Sequence, residues 1–347
     1  MHALRPPESG HPPKIWLVVG EKQGDNMQAR VLASALGWPY EERFVAMKPQ
    51  WVRGKPEVRP SLAHIDADRS DRLEPPWPDL LITIGRRLSM VALWVQEQSR
   101  ARTRLVLIGK PRRFARRFDL VVASAQYRLP RRPNVFRLGL PLIRVDPSAV
   151  AAAADAWRER LADLPRPLTA LLVGGPTKAV RFDAEVARDL GERVSALVSE
   201  SGGSLYVSTS RRTAPAVADA LVAVLPRDAK VFRWTPDATD NPYLALLGLA
   251  DRFVVTSDSL TMMLEVARLS RPLAIFRLPA AAARFWQVLS RSRDLDAISE
   301  RLIAQDRAVR LGAPFRPAGD APADELPAVA ARIRALFEPA RAARFSC

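Results

Sequence analysis

The sequence predicts an α/β chain built from two successive parallel sheets with crossover helices, and three observations predict it. Short apolar, β-branched runs, such as residues 15–19, 80–84 and 168–173, alternate with stretches of helical periodicity along the chain. Glycine-bearing turns follow several of these runs directly, at Gly20, Gly85, Gly109 and Gly174-Gly175. Midway, an alanine-rich helical pattern from Pro147 to Leu161 and the segment Pro165-Arg166-Pro167 interrupt the scheme before it restarts.

In the first half, strands are expected near 15–19, 43–47, 80–84, 104–108, 119–123 and 135–138. A five-residue run that is apolar at every position fits a parallel strand covered on both faces. Helices lie between, notably Met27 to Leu36 and Leu88 to Glu97. In the second half, strands are expected near 168–173, 204–208, 229–233, 252–256 and 272–276, with helices near 183–200, 212–224, 241–249 and 259–269. Both halves therefore read as Rossmann-like units. Pro322 to Arg344 reads as a long amphipathic helix with Leu326, Val329, Ile333 and Leu336 on one side, expected to fold back across the domain interface. The expected divisions are 1–148, a linker helix and loop at 149–167, a second domain at 168–315, and the C-terminal helix within 316–347.

Composition narrows the chemistry. The chain has 347 residues, 48% of them hydrophobic, enough for two cores of ordinary domain size. The single cysteine, Cys347, excludes a disulfide framework or a cysteine-based metal site. Histidines occur only at 2, 11 and 64, so a histidine-rich metal centre is excluded and no metal is expected. Catalysis must rest on carboxylates, hydroxyls and cations. The run Ile15 to Val19 is too short for a signal-peptide core, and no stretch approaches the length of a membrane span. These absences favour the cytoplasm.

The formal charge of +16, from 53 basic and 37 acidic residues, calls for an anionic partner: nucleic acid, an anionic membrane or an anionic substrate. One dense run, Arg112-Arg113-Phe114-Ala115-Arg116-Arg117-Phe118, interleaves cations with aromatics as a segment resting on anionic lipid would. This suggests peripheral attachment at the inner face of the plasma membrane. No nucleic-acid motif accompanies the charge, which ranks nucleic acid last.

Two motifs in the second half look like the phosphate and ribose ends of one nucleotide site. The turn Gly174-Gly175-Pro176-Thr177-Lys178 allows backbone N–H groups to approach a phosphate. Thr256-Ser257-Asp258-Ser259 ends a later strand. If Ser257 or Asp258 caps the following helix, Asp258, Thr261 and Glu265 share a polar face, while Leu260, Met263, Leu264 and Ala267 face the core. Between them, Ser208-Thr209-Ser210-Arg211-Arg212-Thr213 brings hydroxyls and guanidinium groups suited to a diphosphate. Asn241-Pro242-Tyr243 reads as a structural helix cap. The spacing of a nucleotide-hydrolysing P-loop is absent.

The first half places Gly20 to Gln28 after its first strand, with Gly24, Asp25, Asn26 and Gln28 at the expected ligand edge. Asp25 reads either as a helix N-cap or as a general base. Gly85-Arg86-Arg87 and Gly109-Lys110-Pro111 end two further strands and add a rim suited to anions.

Taken in order, Gly24-Asp25-Asn26-Met27-Gln28, Gly85-Arg86-Arg87, Gly174-Gly175-Pro176, Thr209-Ser210-Arg211-Arg212, Asn241-Pro242-Tyr243 and Thr256-Ser257-Asp258-Ser259 resemble the bacterial proteins of the mitochondrial fission "elongated mitochondria" family, regarded as candidate glycosyltransferases. The resemblance covers about residues 14 to 280. It implies a GT-B fold, with two Rossmann-like domains facing across a cleft, acceptor in the first and nucleotide-sugar in the second, and with no obligatory metal or cofactor. It places Glu265 on the ribose, and Gly174, Gly175, Ser257 and Ser259 on the diphosphate. Many members carry histidine where this chain has Asp25.

The expected function is sugar transfer from a nucleotide-diphosphate donor to an acceptor, with a membrane lipid or lipid-linked glycan as the candidate acceptor. Arginines and a helix dipole would stabilise the departing diphosphate. If the enzyme inverts, Asp25 accepts the acceptor's proton; if it retains, that role lapses. The competing class is a non-catalytic membrane-surface protein that keeps a nucleotide-binding fold.

Overall fold

A computed structural model describes residues 12–52, 58–127, 129–177, 179–281, 296–317 and 319–338. The chain divides into two units, Met1–Ile143 with Asp324–Cys347, and Arg144–Ala323.

The first unit is a six-stranded parallel sheet in the order β2-β1-β5-β6-β7-β8. Its strands are β1 (Ile15–Val19), β2 (Glu41–Phe44), β5 (Leu80–Ile84), β6 (Arg104–Ile108), β7 (Leu120–Ser124) and β8 (Val135–Leu138). The expected strand at 43–47 is broken at Val45, and its end, β3 (Ala46–Met47), pairs antiparallel with β4 (Ile65–Asp66). Alternate residues of β1 serve opposite cores, as the two-residue strand period requires. Ile15, Leu17 and Val19 pack with α1 (Gln23–Ala35), whereas Trp16 and Val18 pack with Met90 and Leu93. Those two come from the helix at Gly85–Gln98, numbered α3 after the short helix α2 (Pro49–Val52).

The second unit repeats the plan in the order β11-β10-β9-β12-β13-β14. These strands are Leu168–Leu172 (β9), Ser204–Ser208 (β10), Lys230–Phe232 (β11), Arg252–Thr256 (β12), Leu273–Phe276 (β13) and Val309–Arg310 (β14). Its helices are α4 (Pro147–Trp157), α5 (Ala184–Ser201), α6 (Pro215–Val222), α7 (Tyr243–Leu249), α8 (Leu260–Arg268) and α9 (Asp296–Ala304). Asp146 caps α4 through the Ser148 N–H at 2.9 Å, with Pro147 at the first helical position, and Asp183 caps α5 through the Val186 N–H at 3.1 Å.

Two expected divisions are corrected. The segment 149–167 is not a linker, because α4 packs on α7 and belongs to the second unit. The C-terminal helix is shorter than expected, α10 (Leu326–Arg334), and its apolar face is buried within the first unit. Leu326, Val329, Ala330 and Ile333 join the core of Leu32 and Leu36, and Arg334 donates to the Leu36 carbonyl at 3.0 Å. Sequence periodicity marks which face of a helix is apolar, but it carries no address for that face.

Each sheet has one point where the strand order reverses, between β1 and β5 and between β9 and β12. Loops leaving the two strands there diverge to opposite sides and leave a crevice beyond the strands' carboxyl ends. The turns that follow these four strands are Gly20–Lys22, Gly85, Gly174–Gly175 and Ser257–Ser259, and they carry the sequence motifs.

Candidate functional site

At the second unit's reversal point, the motifs at 174–175, 208–213 and 256–258 meet and satisfy one another. The Gly174 N–H donates to Thr256 Oγ1 at 2.9 Å, and the Gly175 N–H donates to Asp258 Oδ2 at 2.9 Å. Arg212 completes the knot, with Nη2 at 2.7 Å from the same carboxylate oxygen and Nη1 donating to the Gly175 carbonyl at 3.2 Å. The Thr213 hydroxyl donates to the Gly174 carbonyl at 2.6 Å. The glycines are required by closeness: a Cβ on Gly174 would lie 2.2 Å from Asp258 Oδ2, and one on Gly175 would lie 2.1 Å from the Arg212 carbonyl oxygen. The anion seated against the glycine turn is therefore the chain's own Asp258, not an open place for a phosphate.

This corrects the expected cap. Helix α8 begins after Ser259, whose side chain makes no capping bond, so neither Ser257 nor Asp258 serves as the N-cap. Ser257 Oγ instead accepts from the Leu278 N–H at 3.0 Å. The expected core stripe of Leu260, Met263, Leu264 and Ala267 is buried as read. The side chain of Asp258 is fully buried, and its Oδ1 accepts no hydrogen bond. Burial pushes its carboxyl above the ordinary range, against the opposing pull of Arg212 and the Gly175 N–H.

A pH prediction follows. Below the ordinary carboxylate range Asp258 is neutral whether the chain is folded or not. As pH rises the unfolded chain ionises first, while the folded chain must charge a buried group, so wild-type stability falls through that window. The stability difference between Asp258→Asn and wild type is expected to move in the variant's favour between about pH 3 and 7. Urea midpoints measured across that range test this, and a difference that is flat or moves the other way refutes it.

Glu265 lies on α8, half-buried, and Tyr243 at the start of α7 donates its hydroxyl to the carboxylate. Burial raises the Glu265 carboxyl while this bond lowers it; burial and the Glu265 charge together raise the Tyr243 phenol well above its ordinary value. The ribose-type carboxylate is thus already oriented by a phenol. Sequence reading missed this role of Tyr243, whose only signal was a tyrosine directly after the Asn241-Pro242 cap. Thr177 Oγ1 accepts from the Ala179 N–H at 3.1 Å and closes its own turn. Ser208 is buried at the end of β10, and Ser210 pairs with Thr213. Arg211 is exposed, and Lys178 lies outside the described residues.

In the first unit, the Asn26 amide grips Gly20 on both sides, accepting its N–H at 3.1 Å and donating to its carbonyl at 2.5 Å. Asn26 is buried and shapes the turn; Gln28 is buried and donates to the carbonyl of the exposed Gly24 at 3.4 Å. Asp25 is not the N-cap. Lys22 holds that position, with no capping bond from its side chain, and Asp25 stands in the first turn of α1, where its charge favours the positive helix end. Its carboxylate and that of Glu21 act on Arg87, which is half-buried and whose affinity for its proton is lowered mainly by burial. Gly85 has φ +82°, a left-handed turn that starts α3, whose first turn carries Arg86 and Arg87, while Lys110 stands in the loop after β6. Among the described residues there is no group of three potential metal-ligating His, Cys, Asp or Glu side chains, and no helix long and apolar enough to cross a membrane.

The fold is similar to that of UDP-GlcNAc 2-epimerase from Methanocaldococcus jannaschii, with a TM-score of 0.50 and 11% identity over 93% of this chain and 99% of that one. Two parallel six-stranded sheets in that arrangement make a GT-B-like fold. In sequence the chain is 26% identical over 220 residues to mitochondrial fission protein ELM1 of Arabidopsis thaliana, covering 57% of this chain and 51% of that protein. It thus spans about half the length of that relative. An uncharacterized protein of Rickettsia prowazekii is 22% identical over 76% of this chain and 83% of its own length. The model of the family described as mitochondrial fission ELM1 matches residues 23–337, and the chain belongs to that family.

Proposed function

We propose that the chain transfers a sugar from a nucleotide-diphosphate donor, held by the second unit, to an acceptor held by the first. The observation that carries this reading is the junction of Gly174-Gly175, Arg212 and Asp258 at the reversal point of one parallel sheet, with the Tyr243-oriented Glu265 on α8, the helix that follows β12. Such a crevice is where α/β sheets bind nucleotides. The likeness in fold to UDP-GlcNAc 2-epimerase, a protein named for a UDP-sugar, supports it further.

Because Gly175 and Asp258 already satisfy each other, the diphosphate falls to Arg211, to the exposed side of Arg212, and to the uncapped N-terminus of α8 with Ser259. Glu265 holds the ribose hydroxyls, and its bond from Tyr243 fixes the accepting oxygen. Asp25, whose carboxylate makes no hydrogen bond or ion pair among the described residues, is the general base of an inverting transfer. No cofactor or metal is called for, since the cations present stabilise the leaving diphosphate. The exposed Arg113, Phe114 and Arg116 suit an anionic membrane surface at the inner face of the plasma membrane, where a lipid or lipid-linked acceptor would lie.

A second reading has its own support. The internally satisfied glycine turn and the tied Glu265 also fit a non-catalytic interaction protein that keeps this fold, as the fission name of the family suggests. Melting curves with UDP-, GDP- and ADP-sugars separate the two. A donor at 100 times its Kd is expected to add about 2.7 kcal/mol of stability. Glu265→Gln is expected to remove that gain while leaving the unliganded protein at least as stable at neutral pH, because it deletes a buried charge. No response to any nucleotide-sugar, together with an unchanged response in Glu265→Gln, selects the second reading.

A further inference from the structure

The first unit gathers positive charge where its own fold disfavours it. Helix α3 has 14 residues, starts after Ile84 without a side-chain cap and has no acidic residue in its first turn; Arg86 and Arg87 stand there instead. Cations at a helix N-terminus oppose its dipole. The next loop brings more. The Arg112 N–H donates at 3.0 Å to Ser89 Oγ, and that hydroxyl donates at 2.7 Å to the Arg86 carbonyl, so the 110–112 loop is pinned over the first turn of α3.

The guanidinium of Arg86 is half-buried, and it makes no hydrogen bond or ion pair with any described residue. Arg112 is close enough to repel it, and Tyr127 is the other group it senses; burial and this repulsion lower its affinity for its proton. The Tyr127 ring closes one side, lying 3.3 Å from where a Cβ on Gly109 would stand, a position with φ +89°. Elsewhere in this unit arginines pair with carboxylates, as Arg30 does with Glu42 at 2.6 Å and Arg117 with Glu97 at 2.9 Å. Among the described residues no hydrogen bond or ion pair offsets the half-buried Arg86 guanidinium, which faces a second cation and a positive helix end. An anion with several oxygens would offset the charge of Arg86 and of the helix end at once.

We infer that Arg86, Arg112 and the first turn of α3 form a phosphate subsite in the first unit, and that the acceptor bound there carries a phosphate group. The acceptor assignment rests on the proposed division of labour between the units; the phosphate subsite itself does not. Lys110, two residues before Arg112, contributes long-range attraction.

The test uses the full chain and inorganic phosphate, with binding read by calorimetry and by melting. Arg86→Gln is expected to weaken phosphate binding about tenfold or more. It is also expected to raise the melting temperature in phosphate-free buffer, because an uncompensated cation is removed. A purely structural arginine would give the opposite shift. Arg86→Lys should fall between, since an ammonium keeps the charge but loses the fork. Arg211→Gln, in the second unit, should leave phosphate binding intact. Flotation with phosphatidylcholine vesicles containing phosphatidic acid identifies the source. Loss of both vesicle and phosphate binding in Arg86→Gln indicates a lipid phosphate; loss of phosphate binding alone indicates a soluble phosphate compound. Phosphate affinity unchanged by Arg86→Gln, or a lowered melting temperature in phosphate-free buffer, overturns the site. Failure of every nucleotide-sugar to bind would count against the donor reading and leave these outcomes unaffected.

Discussion

Val329→Asp is expected to unfold the first unit and leave the second standing. Val329 is fully buried on α10, between Leu326 and Ile333, against a core that includes Ala29, Leu32 and Leu36 of the α1 segment. An aspartate there would stand among apolar side chains, and a buried unpaired charge costs about 4 kcal/mol, a large share of a domain's stability. Scanning calorimetry should show an early transition moving down sharply or disappearing, with a second one unmoved. Val329→Ala, a milder change, should move the same transition by a smaller amount. A uniform shift of all unfolding would refute the assignment of α10 to the first unit's core.

Gly175→Ala is the second large effect. Its Cβ would lie 2.1 Å from the Arg212 carbonyl oxygen, and relief requires backbone to move, since the obstacle is not a flexible side chain. The expected loss is about 3 kcal/mol. Moving the 210–213 loop also separates Arg212 from Asp258, so any nucleotide response should vanish with it. Gly174→Ala meets Asp258 instead, at 2.2 Å, and Asp258→Ala in that background opens the space. The double variant should therefore recover part of the stability lost by Gly174→Ala, which a double-mutant cycle in urea measures. No coupling between the two substitutions would show that the glycine turn does not depend on the Asp258 contact.

The sheets were legible because parallel strands buried on both faces are written as nearly continuous apolar runs. Leu80–Ile84 and Leu168–Leu172, broken only by Thr83 and Thr169, are buried at every position, and their sequences leave few alternatives. The two-residue strands β4 and β14 are too short to carry a period, and α9 was not anticipated. The motifs at the strand ends were also legible, since glycine and hydroxyl residues at those ends have few other reasons to occur. Their partners were not. The bond from Gly175 to Asp258 joins residues 83 positions apart, and no local pattern distinguishes a carboxylate that caps its helix from one that turns away to a distant amide. For the same reason Tyr243 read as part of a cap, although its hydroxyl reaches Glu265. What the sequence marks is the supply of chemical groups; the fold decides which of them are left for a ligand.

The placement of α10 has a consequence for how the molecule is made. The first unit's sheet is complete by Leu138, yet the helix that covers part of its apolar face comes only after residues 144–323, the whole of the second unit. At ordinary translation rates of 5–20 residues per second, those 180 residues occupy the ribosome for roughly 10–35 s. During that interval the second unit has everything it needs, while Ala29, Leu32 and Leu36 wait for their partner. The nascent chain thus matures from the middle outward, and its earliest-made half is the last to close.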